Sequence, residues 1–318
     1  MLTSGGDAPG RNAAIRAVVR AADAERIEVY GVRDGYEGLI EGRIDTLSAR
    51  DVSGILHVGG TILGTARSKL FRTTEGRDRA CKHLDLRGIE GLIVIGGDGS
   101  FRGAEALSHQ TGIKVVGIPG TIDNDLVGTD FTLGFDTAVN TALESIDRIR
   151  DTAQSHRRLF FIEVMGRTSG WIALYSGLAG GATEVLVPER VTDLERLRHR
   201  IRSSFELGKR FCLVVVAEGD DAGNAYEIAG AVAEGIDGLD YRVSTLGHVQ
   251  RGGPPSMRDR VLAALLGDAA VRALVAGATR VMVGQRHGEV VHTPLDRTWL
   301  VHERTPDELL ELMDRLAR

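Results

Sequence analysis

Short apolar runs rich in Val and Ile alternate with helical segments along this chain, and this alternation restricts its possible folds more than any other feature. The strand candidates are residues 27–32, 91–95, 113–118, 159–164, 184–187 and 211–217. Continuous apolar strands separated by helices are typical of parallel sheets, because crossover helices bury both faces of such a sheet. The sequence therefore predicts a doubly wound α/β fold whose ligands bind beyond the carboxyl ends of the strands.

The length predicts more than one lobe. The chain has 318 residues, which is longer than a single hydrophobic core usually supports. Helices are predicted at 11–22, from 101 and at 136–152, and the change from one lobe to the next is expected near 135–139. Residues 1–4 read as the tail of a strand whose opening residues are absent.

Composition narrows the class of ligand. The net charge of −5 gives no general attraction for nucleic acid or for an acidic membrane, so an anionic ligand requires a local group of arginines. No apolar stretch approaches the roughly 18 residues of a membrane span, and the first residues lack a signal-peptide pattern. Cys81 and Cys212 are too far apart for a metal or redox motif and fit a reducing cytosol. We expect a soluble, cytoplasmic protein with a small ligand.

Three predicted strands end in glycine-rich turns, at residues 2–10 (LTSGGDAPG), 96–100 (GGDGS) and 117–125 (GIPGTIDND). Glycines let backbone amides approach an anion, and a following helix adds its positive end, so phosphate is the expected ligand. Taken alone, the second turn is equally compatible with a plain strand-to-helix connection capped by Asp98. The sequence has no P-loop motif of the form G-x-x-x-x-G-K-[ST], and residues 97–103 do not have the G-x-G-x-x-G spacing of a dinucleotide fingerprint.

The third turn carries acidic residues. Phosphoryl transfer to an alcohol requires a carboxylate for the hydroxyl proton, a metal held by acidic oxygens, and cations around the moving group. Asp123, Asp98 and nearby arginines would supply that set. The alternative is that Asp123 and Asn124 serve only as turn and cap residues, which is their commonest role.

Five motifs together resemble the bacterial ATP-dependent 6-phosphofructokinase family, in the order in which that family has them. They are LTSGGDAPG (2–10), GGDGS (96–100), PGTIDND (119–125), MGR (165–167) and LGHVQRGG (246–253). The likeness spans nearly the whole chain. It implies two Rossmann-like lobes, each with a mainly parallel sheet flanked by helices: an ATP lobe of residues 1–138 with 250–300, and a fructose 6-phosphate lobe of residues 139–249.

The resemblance also implies the site residues. ATP-binding positions match at Gly6, Arg67, Ser68, Gly97, Asp98, Gly99, Ser100 and Gly103, with Asp98 at the Mg²⁺ position and Asp125 as a further acid near the metal. The catalytic set matches at Asp123 as proton acceptor, Thr121, Arg167 and Arg67. Fructose 6-phosphate positions match at Thr121, Asp123, Arg158, Met165, Gly166, Arg167, Glu218, Arg242, His248 and Arg251. In the family, the matches of Arg158 and Arg242 reach the sugar phosphate from a neighbouring subunit, so a homotetramer is expected.

Regulation is a further implication. Arg16, Arg20, Arg150 and Lys209 match residues of a nucleotide effector site, which would make the enzyme allosteric. Thr183 and Ala49 depart from that pattern. Arg16 and Arg20 also lie four residues apart, so they could simply form a solvated helix face.

Other functions remain open at the level of sequence. In pyrophosphate-using relatives, Lys and Asp typically replace Gly120 and Gly99, so two glycines favour ATP over pyrophosphate as donor. Another kinase with a GGDG turn would leave residues 121–125 and the arginines unexplained. A noncatalytic nucleotide or sugar-phosphate sensor on the same fold would not need Asp98, Thr121, Asp123 and Arg167.

Overall fold

The computed structural model describes residues 1–153, 158–236, 238–300 and 303–317. The chain divides into two compact units. Unit 1 comprises Met1–Ile122, Leu126–Thr137 and Arg251–Glu303, and unit 2 comprises Asp123–Asp125, Ala138–Gln250 and Arg304–Arg318. Each unit has its own sheet covered by helices, so the predicted α/β class is confirmed.

The strands of the described part are β1 (Leu2–Thr3), β2 (Val29–Val32), β3 (Ile44–Leu47), β4 (Gly91–Gly96), β5 (Lys114–Pro119), β6 (Arg158–Val164), β7 (Glu184–Leu186), β8 (Phe211–Ala217), β9 (Tyr241–Thr245), β10 (Val281–Arg286) and β11 (Glu289–Pro294). The helices are α1 (Arg11–Ala24), α2 (Gly35–Glu41), α3 (Thr74–Asp85), α4 (Asp98–Thr111), α5 (Phe135–Ala153), α6 (Trp171–Ala179), α7 (Leu194–Glu206), α8 (Ala225–Glu234), α9 (Met257–Val275), α10 (Arg297–Leu300) and α11 (Asp307–Leu316). Among these helices, none is both long and apolar enough to cross a bilayer.

The sheet of unit 1 has the strand order β11-β10-β5-β4-β1-β2-β3. Its five inner strands are parallel, and antiparallel β3 and β11 close the two edges. Because β1, β4 and β5 are parallel neighbours, the turns that follow them emerge at one edge of the sheet. This topology collects the three glycine-rich turns in the place where such sheets bind ligands.

The sheet of unit 1 is covered by an apolar layer on each face. Helices α1 and α9 pack on one face through residues such as Ile15, Val18 and Leu266. Helices α2, α3 and α4 pack on the other face through residues such as Leu39, Leu84 and Phe101. The inner strands are buried on both sides, which explains their continuous apolar sequences.

The sheet of unit 2 is entirely parallel in the described residues, in the order β7-β8-β6-β9. One face packs against α7 and α8 through Leu197, Ile201 and Ile228, together with Leu159 and Val214 of the strands. Helix α6 lies against β7 and β8. The carboxyl end of β6 leads directly into the predicted motif at 165–167.

All six predicted strands are present, with ends that differ by at most two residues. Strands β3, β9, β10 and β11 were not predicted. Strands β10 and β11 form a hairpin through His287 and Gly288, both with positive φ (52° and 86°), as a two-residue turn of the hairpin type requires. A histidine at the first turn position hides this signal, because Asn or Gly is the usual residue there.

Helix α4 begins at Asp98 and not at 101 as predicted. Gly97 occupies the N-cap position and makes no side-chain cap. Asp98 is therefore the first residue of the helix and does not occupy the N-cap position.

Candidate active site

The turn after β1 brings Gly6 under the side chain of Arg251. A Cβ atom at position 6 would overlap with Nη1 of Arg251, so a side chain there would displace this guanidinium from its present place. Gly5 and Gly10 have positive φ values of 86° and 96°, which lets the turn enter α1 without strain. The fold thus joins a predicted ATP residue and a predicted sugar-phosphate residue that are far apart in sequence.

The turn after β4 places Asp98 in the first turn of α4. Arg102 lies one helical turn further on, with its Nη2 atom 3.8 Å from Oδ2 of Asp98. Gly99 has open space where a side chain would project, whereas a Cβ at Gly103 would lie 2.9 Å from the ring of Tyr36. Gly99 therefore leaves room for a ligand, and Gly103 is needed for packing. Ser100 is buried, and its carbonyl oxygen accepts a hydrogen bond from the Tyr36 hydroxyl at 2.5 Å.

The turn after β5 runs beside the turn after β4. The amide of Gly120 donates to the carbonyl of Gly96 at 2.9 Å, and a Cβ at Gly97 would lie 3.5 Å from Cβ of Thr121. The carbonyl of Thr121 accepts a hydrogen bond from the Thr132 hydroxyl at 2.6 Å. These contacts fix Thr121 next to the start of α4.

Asp123 and Arg167 form the central pair of unit 2. Nε of Arg167 lies 3.6 Å from Oδ2 of Asp123. The side chain of Arg167 is 53% exposed, whereas that of Asp123 is 6% exposed. The hydroxyl of Ser169 donates to the carbonyl of Asp123 at 2.7 Å, and Asn124 adopts a left-handed φ of 50°. A buried carboxylate therefore faces an accessible cation. Asp125 is buried as well.

The turn at 165–167 is shaped by Glu218. Its Oε1 atom accepts the amides of Gly166 at 3.3 Å and of Arg167 at 2.7 Å. Gly166 has a φ of 148°, and a Cβ there would overlap with the carbonyl of Ser169; Arg167 has a φ of 56°. Glu218 thus fixes an unusual backbone conformation that directs Arg167. Met165 is buried beside it.

Arg158 and Arg242 lie on the neighbouring strands β6 and β9 and share one carboxylate. Nε of Arg158 donates to Oδ2 of Asp240 at 2.9 Å, and Nη1 of Arg242 donates to Oδ1 at 2.5 Å. The hydrogen bond from Arg158 and the charge of Arg242 lower the pKa of Asp240 below its usual value. Sequence reasoning missed Asp240, although its position two residues before Arg242 is visible in the chain.

The other predicted residues lie as follows. His248 is exposed in the short 3-10 turn Gly247–Arg251. Arg67 is exposed in a loop, and the hydroxyl of Ser68 accepts the amide of Phe71 at 3.1 Å, as the start of a helical turn requires. No group of three or more His, Cys, Asp or Glu side chains with metal-binding geometry occurs among the described residues.

The predicted effector residues are divided between the units. Arg16 and Arg20 lie on α1 of unit 1, with Arg20 exposed. In unit 2, Nζ of Lys209 donates to the carbonyl of Ala317 at 3.0 Å. Arg150 lies one helical turn from Asp147, with its Nη1 atom 3.8 Å from Oδ1 of Asp147. Thr183 is buried, and its hydroxyl accepts the amide of Leu213 at 3.2 Å.

Arg11 was missed as a candidate residue. It is the first residue of α1, and its side chain is fully buried among backbone carbonyls of the glycine turns. A charged residue at the start of an apolar helix is usually exposed in its first turn, so the sequence offers no signal for the burial of Arg11.

The fold and these turns define a class. Glycine-rich turns at the carboxyl ends of parallel strands, followed by helix N-termini, are characteristic of α/β proteins that bind phosphate groups. A family model described as Phosphofructokinase matches residues 1–274 of the chain. The chain therefore belongs to the phosphofructokinase family.

Similar proteins agree with this assignment. The ATP-dependent 6-phosphofructokinase 1 of Thermus thermophilus is 58% identical over 295 residues, which cover 93% of this chain and 91% of that protein. The structure of phosphofructokinase from Saccharomyces cerevisiae superposes with a TM-score of 0.88 at 37% identity, and covers 98% of this chain but 45% of the yeast chain. The pyrophosphate-dependent phosphofructokinase from Nitrosospira multiformis superposes with a TM-score of 0.85 at 26% identity, covering 100% of this chain and 91% of that chain.

Proposed function

We propose that this chain transfers the γ-phosphate of ATP to the 1-hydroxyl of fructose 6-phosphate, giving fructose 1,6-bisphosphate and ADP in glycolysis. The observation that carries the proposal is the buried carboxylate of Asp123 at 3.6 Å from the accessible guanidinium of Arg167. The close relative from Thermus thermophilus, named for this activity, supports it. A base beside a cation is what transfer to an alcohol requires.

Asp123 is the proposed proton acceptor. The 1-oxygen of the sugar forms a bond to the γ-phosphorus while the bond from that phosphorus to the β,γ-bridging oxygen breaks, and the hydroxyl proton passes to Asp123. The guanidinium of Arg167 stabilises the negative charge of the transferring group, aided by Arg67. Thr121 and Asp125 complete the set, Thr121 as a substrate contact and Asp125 as a further acid near the metal.

The nucleotide is proposed to bind at the turns of unit 1. Gly6, Gly97, Gly99 and Ser100 lie at the entrances to α1 and α4, where backbone amides and the helix dipole favour phosphates. Arg67, Ser68 and Gly103 complete the ATP set. Mg²⁺ would be held by Asp98 and would neutralise phosphate charge. A single carboxylate fits this ion, because Mg²⁺ on nucleotides is usually bound through one or two carboxylates, phosphates and water.

The sugar phosphate is proposed to bind through cations. Arginine offers a planar fork of donors that matches a phosphate dianion, so Arg251, His248, Arg158 and Arg242 suit the 6-phosphate. Met165, Gly166 and Arg167 form the turn at the sugar. Because Oε1 of Glu218 already fixes that turn, we assign Glu218 a positioning role in addition to the sugar-binding role.

A coupled assay tests the proposal. ADP release is followed with and without fructose 6-phosphate, and phosphate transfer is followed with ATP or with pyrophosphate as donor. We expect turnover that needs both ATP and the sugar phosphate. Sugar-independent ADP release would indicate a different kinase or hydrolase, and binding of both ligands without turnover would indicate a sensor.

A pyrophosphate-dependent phosphofructokinase is the second candidate. It is favoured by the similarity to the Nitrosospira multiformis protein, whose name states that donor. The open space beside Gly99 favours ATP, because it leaves room for the larger donor.

Assembly and regulation are further parts of the proposal. A homotetramer would let Arg158 and Arg242 serve a neighbouring subunit, and Arg16, Arg20, Arg150 and Lys209 would bind a nucleotide effector. Residues 1–138 with 250–300 would form the ATP lobe, and residues 139–249 the sugar-phosphate lobe. The two free cysteines support a cytoplasmic location.

A further inference from the structure

Arg11 is a buried cation at the start of α1. Its side chain is 1% exposed, and it is among the largest fully buried side chains of the described residues. Burying a charge costs free energy unless the surroundings compensate for it. The contacts of Arg11 therefore show what its charge is used for.

The guanidinium of Arg11 joins two of the glycine-rich turns. Its Nη2 atom donates to the carbonyl of Ser4 at 2.9 Å and to the carbonyl of Gly120 at 2.8 Å. Strand β4 lies between β1 and β5, so these bonds tie together two turns whose strands do not pair with each other. A Cβ at Gly120 would lie 3.5 Å from Nε of Arg11, which places the guanidinium directly against this turn.

The remaining nitrogens of Arg11 have no protein partner in the part of the chain that the structure describes. The N–H groups of Nε and Nη1 are buried and donate to no hydrogen-bond acceptor there. Burial lowers the pKa of Arg11 to about 10, with the charge of Asp7 raising it and the charge of Arg251 lowering it. The group therefore remains a cation at neutral pH. Two cations and one carboxylate around the turn at Gly6 leave a positive balance that an anion would neutralise.

A structural role alone does not explain this arrangement. A well-packed apolar residue of similar volume often stabilises a protein as well as or better than a buried ion does. Arg11 instead connects the turn that leads into α1 with the turn that follows β5. It also places a positive charge next to the backbone of both turns. Both effects serve binding of an anion at those turns.

We infer that Arg11 is a positioning residue of the donor site, which ties the turn after β1 to the turn after β5 and supplies a buried positive charge for the donor phosphates. The inference rests on the proposed function for the identity of the donor. It concerns binding of the polyphosphate and not the chemical step.

The test compares Arg11→Met and Arg11→Lys with the wild-type protein. Methionine keeps the volume and loses the charge and both carbonyl bonds; lysine keeps the charge. Binding of a nonhydrolysable ATP analogue and of pyrophosphate is measured by calorimetry, and thermal unfolding is measured without ligand. We expect Arg11→Met to weaken analogue binding by about tenfold or more, which corresponds to ~1.4 kcal/mol. We expect Arg11→Lys to lie between it and the wild type.

Arg87→Met is the matched control. Arg87 also donates to two backbone carbonyls of unit 1, those of His83 and Gly42, both at 3.3 Å, and it lies outside the glycine turns. Binding should be unchanged in this variant. Equal loss of binding in Arg87→Met and Arg11→Met would overturn the inference, because it would show a general effect of lost packing. Wild-type affinity in a folded Arg11→Met would overturn it as well.

The outcome does not depend on the assay of turnover. If the wild type binds the analogue but does not phosphorylate fructose 6-phosphate, the proposed function fails while the affinities still decide the role of Arg11. If Arg11→Met does not fold, Arg11→Lys decides: the inference expects its analogue Kd to rise about threefold or more from the loss of one carbonyl bond. An unchanged Kd in Arg11→Lys would contradict it.

Discussion

The glycines of the predicted motifs occupy their positions for different physical reasons. Gly6 makes room for Arg251, and Gly166 combines a φ of 148° with close approach of the Ser169 carbonyl. Gly103 is required by the Tyr36 ring, which is a packing reason, whereas Gly99 faces open space. Glycines in the same motif therefore do not necessarily have the same role, and substitutions should be chosen position by position.

Asp123→Asn tests the proposed base. The amide keeps the size of the side chain but cannot accept the hydroxyl proton, so kcat should fall by about 10²-fold or more, the usual contribution of a general base. ATP affinity should change little. The measurement is steady-state kinetics together with calorimetric binding of an ATP analogue.

Asp259→Asn is the control for folding. Asp259 is as buried as Asp123 and accepts the amides of Gly134 and Thr137, both at 2.9 Å. This variant should lower Tm while the folded enzyme retains its kcat. If Asp123→Asn keeps near wild-type turnover, the assignment of the base is wrong.

Gly99→Asp tests donor selectivity. The added carboxylate would enter the space beside the start of α4 and repel the larger polyphosphate, so KM for ATP should rise about tenfold or more while use of pyrophosphate should suffer less. Gly120→Lys is a poorer test, because a Cβ there would lie 2.9 Å from Cγ2 of Ile95 and strain the turn itself.

Gly230→Asp controls for the new charge. Gly230 also has open space around it, but it lies on α8 of unit 2. Its substitution should leave both donors unaffected. Equal losses with ATP and pyrophosphate in Gly99→Asp would show that the open space at Gly99 does not set the donor.

At the scale of elements, α11 is attached to unit 2 by a network of charges. Asp314 accepts hydrogen bonds from Arg190 at 3.0 Å, from Arg196 at 2.7 Å and from Arg200 at 2.9 Å. Arg200 also pairs with Glu184 of β7 at 2.8 Å. Burial alone would raise the pKa of Asp314, but the hydrogen bonds and charges of Arg196 and Arg200 lower it below its ordinary value of 3.8.

Asp314→Asn should therefore destabilise the protein in a pH-dependent way. Because the folded-state pKa is depressed, the carboxylate contributes stability that is present above the ordinary pKa and is lost as pH falls through the folded pKa. At pH 7 the variant should be less stable by about 1 kcal/mol, since the pairs are partly exposed. Thermal unfolding of both proteins between pH 7 and pH 3 measures this difference.

The pH dependence of this stability difference is the decisive part of that experiment. The stability difference between wild type and variant should shrink towards acid pH, because protonation removes the same charge in the wild type. A difference that stays constant over this range would show that α11 is held by its apolar contacts, such as those of Leu310 and Met313, and not by Asp314.

At the scale of the whole molecule, Arg158, Arg242 and Asp240 form a cluster that is open to solvent. Asp240 holds both guanidinium groups, and Arg242 is 52% exposed. If these arginines serve a neighbouring subunit, dissociation should raise KM for fructose 6-phosphate by about tenfold or more, because charge-assisted contacts to a phosphate are lost. Activity and mass should be measured together over a dilution series.

The variant Arg242→Met should reproduce the effect of dilution on KM for the sugar phosphate without changing the affinity for the ATP analogue. Full activity in a sample that is monomeric by mass measurement would contradict the proposed role of both arginines. Wild-type kinetics in a tetrameric Arg242→Met would contradict the role of Arg242.

The sequence was most informative where periodicity and chemistry coincided. The apolar runs at 91–95 and 113–118 predicted buried parallel strands, and the polar residues after them predicted a site at their ends. Edge strands such as β9 and β11 escaped prediction, because their half-exposed residues show no continuous apolar run. Asp240 and Arg11 escaped because each also bonds to a residue far away in sequence, Arg158 and Gly120 respectively.

The sequence by itself determined the α/β class, the positions of the inner strands other than β10, and the residue types available for phosphate chemistry, since these depend on local patterning and on motifs within a few residues. Tertiary structure decided which of those residues meet: it set Arg251 over Gly6, Glu218 under the turn of Arg167, and the buried Arg11 between two turns. The reason is physical. Such contacts depend on strand order and on which space a neighbouring backbone leaves free, and neither is written in the local sequence.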